Sequence, residues 1–195
     1  YAPLCFTGAQ HATISVVCPD LADRILTVSG VSKSHAMTGF RIGWAIANRE
    51  VCEAMTNIQS HQTSGPVTVS QWAAIGALSG VQTSIETMRL TLENHRNVMV
   101  ERLQTIPGLR VTRPHGTFYC FPDFSAYGKS SLQLAEFLLE KVRVVVVPGK
   151  EFGMEGHLRL SYCGTLKEIM EGLERLKWAL DPDAPNEIFI GDRRL

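Results

Sequence analysis

Apolar residues change their spacing from one segment of this chain to the next, and the changes mark its elements. Residues 24–28 and 41–47 are short apolar-rich runs, the first ending in Ser29-Gly30 and the second flanked by Gly39 and Asn48. They predict two strands separated by an unusually polar loop. Residues 50–60 and 67–78 read as helices, held apart by Thr63-Ser64-Gly65-Pro66, where proline prevents one continuous helix. From about Ser84 a longer helix is predicted. Ile85, Met88, Leu92, Met99, Leu103 and Ile106 recur mostly at three- and four-residue steps, with polar residues between them, until Pro107-Gly108 stops the pattern.

Beyond that helix the period changes. Residues 109–112 and 117–121 predict a pair of strands around a Pro114-His115-Gly116 turn, and residues 131–141 a short helix. Residues 143–147 read as a buried-type strand stopped by Pro148-Gly149, and residues 157–162 as another. Thr165-Leu166-Lys167-Glu168 has the form of a capping box, in which the threonine hydroxyl accepts an amide proton and the glutamate reaches back to the cap amide. Leu166, Ile169, Leu173, Leu176 and Leu180 then make one apolar stripe. Residues 181–195, with two prolines and a charged end, read as an extended tail. Helices and strands in this order indicate an α/β or α+β chain with a boundary inside the long helix near residue 85.

Charge narrows the partners. The chain of 195 residues balances 19 basic against 19 acidic side chains, so it offers no global attraction to nucleic acid or an anionic membrane. No apolar run approaches the roughly 20 residues that cross a bilayer. Five cysteines, Cys5, Cys18, Cys52, Cys120 and Cys163, are odd in number and scattered, as expected of free thiols in the cytoplasm rather than a disulfide framework. The histidines lack the i, i+4 spacing of a helical metal site, and no metal is expected. The end at Tyr1-Ala2-Pro3 has no start methionine and no basic leader, and reads as cut rather than processed.

The candidate chemistry lies in the loop between the first two strands, Ser29 to Gly43, which gathers hydroxyls, glycines, Lys33 and Arg41. By composition it is an ordinary solvated loop. By position, between apolar strands, it is where α/β proteins place ligands. Glycines let backbone approach a phosphate, an arginine can grip it with two parallel hydrogen bonds, and a lysine beside it can condense with a carbonyl cofactor.

Gly30, Val31, Ser32, Lys33, Ala36, Met37, Gly39, Arg41, Ile42 and Gly43 occupy in order every defined position of a longer pattern. That pattern resembles the attachment-site signature of class I and II pyridoxal-phosphate (PLP) aminotransferases. The stretch Met37-Thr38-Gly39-Phe40-Arg41-Ile42-Gly43-Trp44 is similar to the bacterial aspartate-aminotransferase-like branch. Tyr1, Thr63-Ser64-Gly65-Pro66 and Pro148-Gly149 through Arg159-Leu160-Ser161-Tyr162 resemble further family segments in the same order, so the likeness covers essentially residues 1–180.

The resemblance implies the C-terminal part of a fold-type-I PLP enzyme. Residues 1–84 would end the large PLP-binding domain, residues 85–180 would form the connecting helix and small α+β domain, and 181–195 the tail. It implies Lys33 as the catalytic, cofactor-bearing lysine, with Tyr1, Ser29, Gly30, Ser32 and Arg41 as further cofactor contacts and Arg159 as the anchor of a substrate carboxylate. His35 sits at a free position of the pattern and receives no role, and Phe118 and Tyr119 read as core. The expected activity is amino transfer between an L-amino acid and a 2-oxo acid. The expected partner is a second copy in a homodimer, with neither nucleic acid nor membrane involved. Intact members are roughly twice as long, so the N-terminal half is expected to be missing and the piece inactive alone. A β-lyase of the same fold and an aminotransferase-like sensing domain of a transcription regulator remain open as alternatives.

Overall fold

The computed structural model describes residues 1–185 and the backbone of residues 189–190 and 193–194. The chain forms two compact units, Tyr1–Arg89 and Leu90–Leu195.

In the first unit, β1 (Thr27–Gly30) and β2 (Gly43–Ile46) pair antiparallel with Gly30 opposite Gly43 and Ser29 opposite Trp44. Both strands are shorter than the apolar runs suggest. Pro19 opens a 3-10 helix, Pro19–Arg24, that follows the short helix α1 (Ile14–Val17) and consumes the start of the first run. A second 3-10 turn, Thr38–Phe40, leads to Arg41 with φ at 49°, and this left-handed residue delays β2 until Gly43. Asn48 caps α2 (Arg49–Thr63), its side-chain oxygen accepting from the Val51 amide at 3.0 Å. Helix α2 ends where Ser64 turns left-handed, and α3 (Thr68–Ser79) begins after Pro66. Val31, Met37 and Ala74 form a small core with Ile42, Trp44, Ala73 and Ala77 around it. The turn that follows β1 therefore packs on α3.

Helix α4 (Thr83–Gln104) carries the division between the units. Of its expected stripe, Ile85, Leu92, Met99 and Leu103 are buried, as is Ile106 just beyond it, and Met88 is half-buried.

The second unit is built on a three-stranded antiparallel sheet in the order β3 (Tyr119–Cys120), β5 (Leu158–Ser161), β4 (Val147–Pro148). Two strand expectations are corrected here. Residues 109–112 and 117–121 do not pair with each other. Tyr119 and Cys120 pair with Ser161 and Leu160, while Arg110 bridges Asp123. Thr117 has φ at 67°, and Arg96 on α4 donates through Nη1 to the Pro114 carbonyl at 2.6 Å. The Pro114-His115-Gly116 segment is thus held by an arginine rather than by a hairpin ladder. Residues 143–147 are not one buried strand either. Helix α5 (Ser131–Val142) ends on Arg143 at φ 55°, whose amide donates to Leu139, while the Val144 amide donates to Leu138. The polar backbone of these residues closes the helix instead of joining the sheet, Val145 is 78% exposed, and pairing starts only at Val147.

Helices α5 and α6 (Leu166–Leu180) pack on one another, and α5 also meets β4. Leu138, Val142, Leu158 and Leu176 are fully buried in this unit. Burial also pushes the Cys120 thiol up to about 11, so this cysteine is an inert apolar side chain at neutral pH. The tail is not uniformly extended: β6 (Phe189–Ile190) and β7 (Arg193–Arg194) pair antiparallel. The rest of residues 186–195 lies outside the described residues.

Helices α5 and α6 start with reciprocal capping boxes, Ser130 with Gln133 and Thr165 with Glu168. The Thr165 amide and hydroxyl each donate to Glu168 Oε2 at 2.8 Å and hold that carboxyl below its usual range. A depressed folded value means the contribution is complete at neutral pH and is lost as pH falls through it. Thr165→Ala is expected to cost about 1 kcal/mol in urea unfolding, without a change in slope. An unchanged urea midpoint would mean that the cap is dispensable.

Candidate functional site

The first unit places five of the expected site residues on one strand–turn–strand segment. Ser29 and Gly30 end β1, Ser32 and Lys33 stand on the turn that follows, and Arg41 precedes β2 by two residues. Gly43 is required for the close pairing: a Cβ there would lie 2.9 Å from the Ser29 carbonyl oxygen. A Cβ at Gly30 would lie 3.2 Å from that of Ile42. The turn is closed by its own backbone, His35 N donating to Val31 O and Ala36 N to Lys33 O, both at 3.2 Å. Val31 and Met37, buried on either side of Lys33, fasten it to α3. Lys33 itself is half-buried on the crest between those two anchors.

Arg41 is exposed and donates from Nη1 to the Thr38 carbonyl at 2.9 Å. This bond uses one nitrogen of an exposed guanidinium whose fork carries five donors in all. The exposed Ser29 and half-buried Ser32 add hydroxyl donors. Tyr1 opens the same unit, about half exposed, its carbonyl accepting from Leu4 N at 2.8 Å.

Ser34, next to Lys33, is 4% exposed although polar. Its hydroxyl lies 2.9 Å from His35 Nδ1, and His35 Nε2 lies 3.3 Å from Gln82 Oε1. The sequence assigns His35 no role because its position is free in the pattern, and its partner lies 47 positions away.

Arg159 belongs to the second unit, on the central strand β5 opposite Val147. Its guanidinium carbon lies 4.5 Å from the centre of the Tyr119 ring and 4.8 Å from that of Phe152. Two aromatic faces therefore hold a half-buried cation, which keeps its position with less entropy to lose when it meets a carboxylate. Phe121 meets Phe152 edge-on at 5.8 Å and braces the cluster. Tyr119 was expected in the core, but it is half-buried and stacks on Arg159 while its neighbour Cys120 is fully buried. The register explains it: with Tyr119 opposite Ser161, the same-face diagonal neighbour is Arg159, a pairing that the expected 109–112/117–121 hairpin concealed. Phe152 gave no such signal, since it comes from the 3-10 helix Gly149–Phe152.

One strand–turn–strand segment thus carries a lysine, two hydroxyls, a forked cation and two backbone-crowding glycines. Residues 1–176 match the family described as aminotransferase class I and II, and the chain belongs to that family. Among its relatives, the aspartate aminotransferase of Bacillus sp. (strain YM-2) is 40% identical over 181 residues, covering 90% of this chain and 46% of that protein. The probable aspartate/prephenate aminotransferase of Aquifex aeolicus (strain VF5) is 42% identical over 186 residues, covering 93% and 47%. The crystal structure of the aspartate aminotransferase from Rhizobium meliloti superposes with a TM-score of 0.86 at 36% identity, over 92% of this chain and 48% of that one. The chain spans about half the length of the relatives it matches. It is a mixed α/β portion of the fold-type-I aminotransferase architecture. Among the described residues, no helix is long and apolar enough to cross a membrane.

Proposed function

We propose that this chain is the lysine-bearing C-terminal portion of a PLP-dependent aminotransferase that exchanges an amino group between an L-amino acid and a 2-oxo acid. The observation that carries the reading is the segment from Ser29 to Gly43, where the whole attachment-site pattern falls on one strand–turn–strand unit with Lys33 at its crest. The donor set fits the group: an amine for an aldehyde carbon, and a guanidinium, two hydroxyls and turn amides for a dianionic phosphate. When bound, PLP supplies an electron sink for the bond-breaking at the substrate Cα.

The residues of this chain supply the rest. The Lys33 amine would attach the cofactor and, once freed by the incoming amino group, would accept the substrate Cα proton and deliver it to the former aldehyde carbon, the shift that amino transfer requires. Arg41, Ser29, Ser32 and the Gly30 backbone would hold the phosphate end, and the Tyr1 hydroxyl would donate to the ring's phenolic oxygen. Arg159, flanked by Tyr119 and Phe152, grips the substrate carboxylate and orients the Cα–H bond. In this reading residues 1–84 end the PLP-binding domain and residues 85–180 form the smaller one.

The protein works as a homodimer in the cytoplasm. Val69, Trp72 and Ile75, all more than half exposed along α3, support further protein covering this unit. The five cysteines are unpaired, in keeping with a reducing compartment. Borohydride reduction of the full-length protein with PLP, followed by peptide mapping, is expected to fix the label on Lys33. A label on any other lysine would sink the assignment.

A further inference from the structure

We infer that His35 is a positioning residue for Lys33, acting through a directed hydrogen-bond relay that ties the lysine's turn to the junction of α3 and α4; the role rests on the function proposed for Lys33. The direction of the relay follows from its far end. Gln82 Nε2 donates to the Ala77 carbonyl at 2.9 Å and to the Gly80 carbonyl at 2.6 Å. Those two acceptors fix the amide, because the flipped orientation would set Oε1 against both carbonyl oxygens. Gln82 Oε1 therefore faces His35 as an acceptor, and His35 Nε2 must carry the proton. In the neutral ring Nδ1 is then bare and accepts from the Ser34 hydroxyl at 2.9 Å. The chain of donors runs from buried Ser34 through His35 and Gln82 into the last turn of α3.

The relay matters because of what it completes. Val31 and Met37 pin the turn to α3 by apolar contact near Ala73, Ala74 and Ala77. The backbone bonds inside the turn fasten it only to itself. His35 adds a polar anchor to the same helix, two residues from Lys33, at a point that also starts α4, since the Gln82 carbonyl accepts from Ile85 N at 3.0 Å. Lys33 is thereby held from both flanks against one helix, and its amine enters cofactor capture with less freedom to lose.

Three measurements on the full-length protein test this. In mildly alkaline solution, long-range 1H–15N correlation is expected to show His35 protonated at Nε2 and bare at Nδ1. A proton on Nδ1 would overturn the relay. His35→Phe keeps the ring and loses both bonds, and Gln82→Ala loses the far acceptor. Each is expected to weaken PLP affinity about tenfold, the factor a net hydrogen bond commonly carries, without a comparable change in melting temperature. The double variant is expected to be no worse than either single, and independent, multiplying losses would overturn the role. Failure of the unaltered protein to capture PLP at Lys33 would overturn the functional reading and this role together. Capture there with undiminished affinity in the two variants would overturn this role alone.

Discussion

Lys33→Ala in the full-length protein is expected to reduce amino transfer at least ~10³-fold, since a positioned acid–base group alone contributes about 10²–10⁴-fold. The same side chain is also the proposed point of covalent attachment, and losing both roles places the expectation at the upper end of that range. Lys33→Arg separates charge from chemistry. It keeps the cation beside the phosphate but neither condenses with an aldehyde nor gives up a proton near neutral pH, so it is expected to fall as far as the alanine variant. Stability is expected to change less than activity in either variant, because Val31, Met37 and the turn's own backbone bonds remain in place. The checks are steady-state turnover with amino-acid and 2-oxo-acid pairs, and a melting curve. Retention of a tenth or more of the activity by Lys33→Ala would remove Lys33 from the reaction.

The reason Lys33 could be found in the sequence is local. Its motif is a run of contiguous positions whose geometry is set by neighbours, with Gly30 and Gly43 facing each other across the strand pair. Helices α3, α4, α5 and α6 were legible for a related reason, because apolar period and caps such as Thr165 with Glu168 act within a few residues. The failures involve either distant partners or a local competition that composition does not reveal. Strand β3 reads as half of a hairpin until the structure shows that its ladder belongs to β5, some forty residues on. The Val-rich run at 144–147 has the composition of a buried strand, yet its first amides are spent on closing α5. The stacking of Phe152 on Arg159 and the bond from His35 to Gln82 join residues that no periodicity links. Such contacts exist only once the chain is folded.

Gly149→Ala is expected to be the most damaging conservative change in the second unit. Its added Cβ would fall 2.3 Å from the Met154 carbonyl oxygen, 2.5 Å from that of His157 and 2.8 Å from the His157 Cβ. Those carbonyls are not free to swing away, since His157 O accepts from Gly149 N at 2.7 Å and Met154 O accepts from His157 N at 3.4 Å. Over-packing in a tight core costs typically about 1–3 kcal/mol, and a clash with two bonded backbone groups belongs at or above the top of that range. Gly153, four residues on, is the control: it has φ at 76° but nothing within 4 Å of an added Cβ. Gly153→Ala is expected to cost only about 1–2 kcal/mol, the price of left-handed backbone. The damage at Gly149 also reaches the site, because it parts Pro148 from Leu158 and so disturbs the pairing of Val147 with Arg159 and the seat of Phe152. Urea unfolding should show the larger loss for Gly149→Ala, and substrate KM should rise more than kcat falls if Arg159 holds the carboxylate. Equal losses at the two glycines would mean that the crowding around Gly149 relaxes at no cost, and the steric account of this turn would fail.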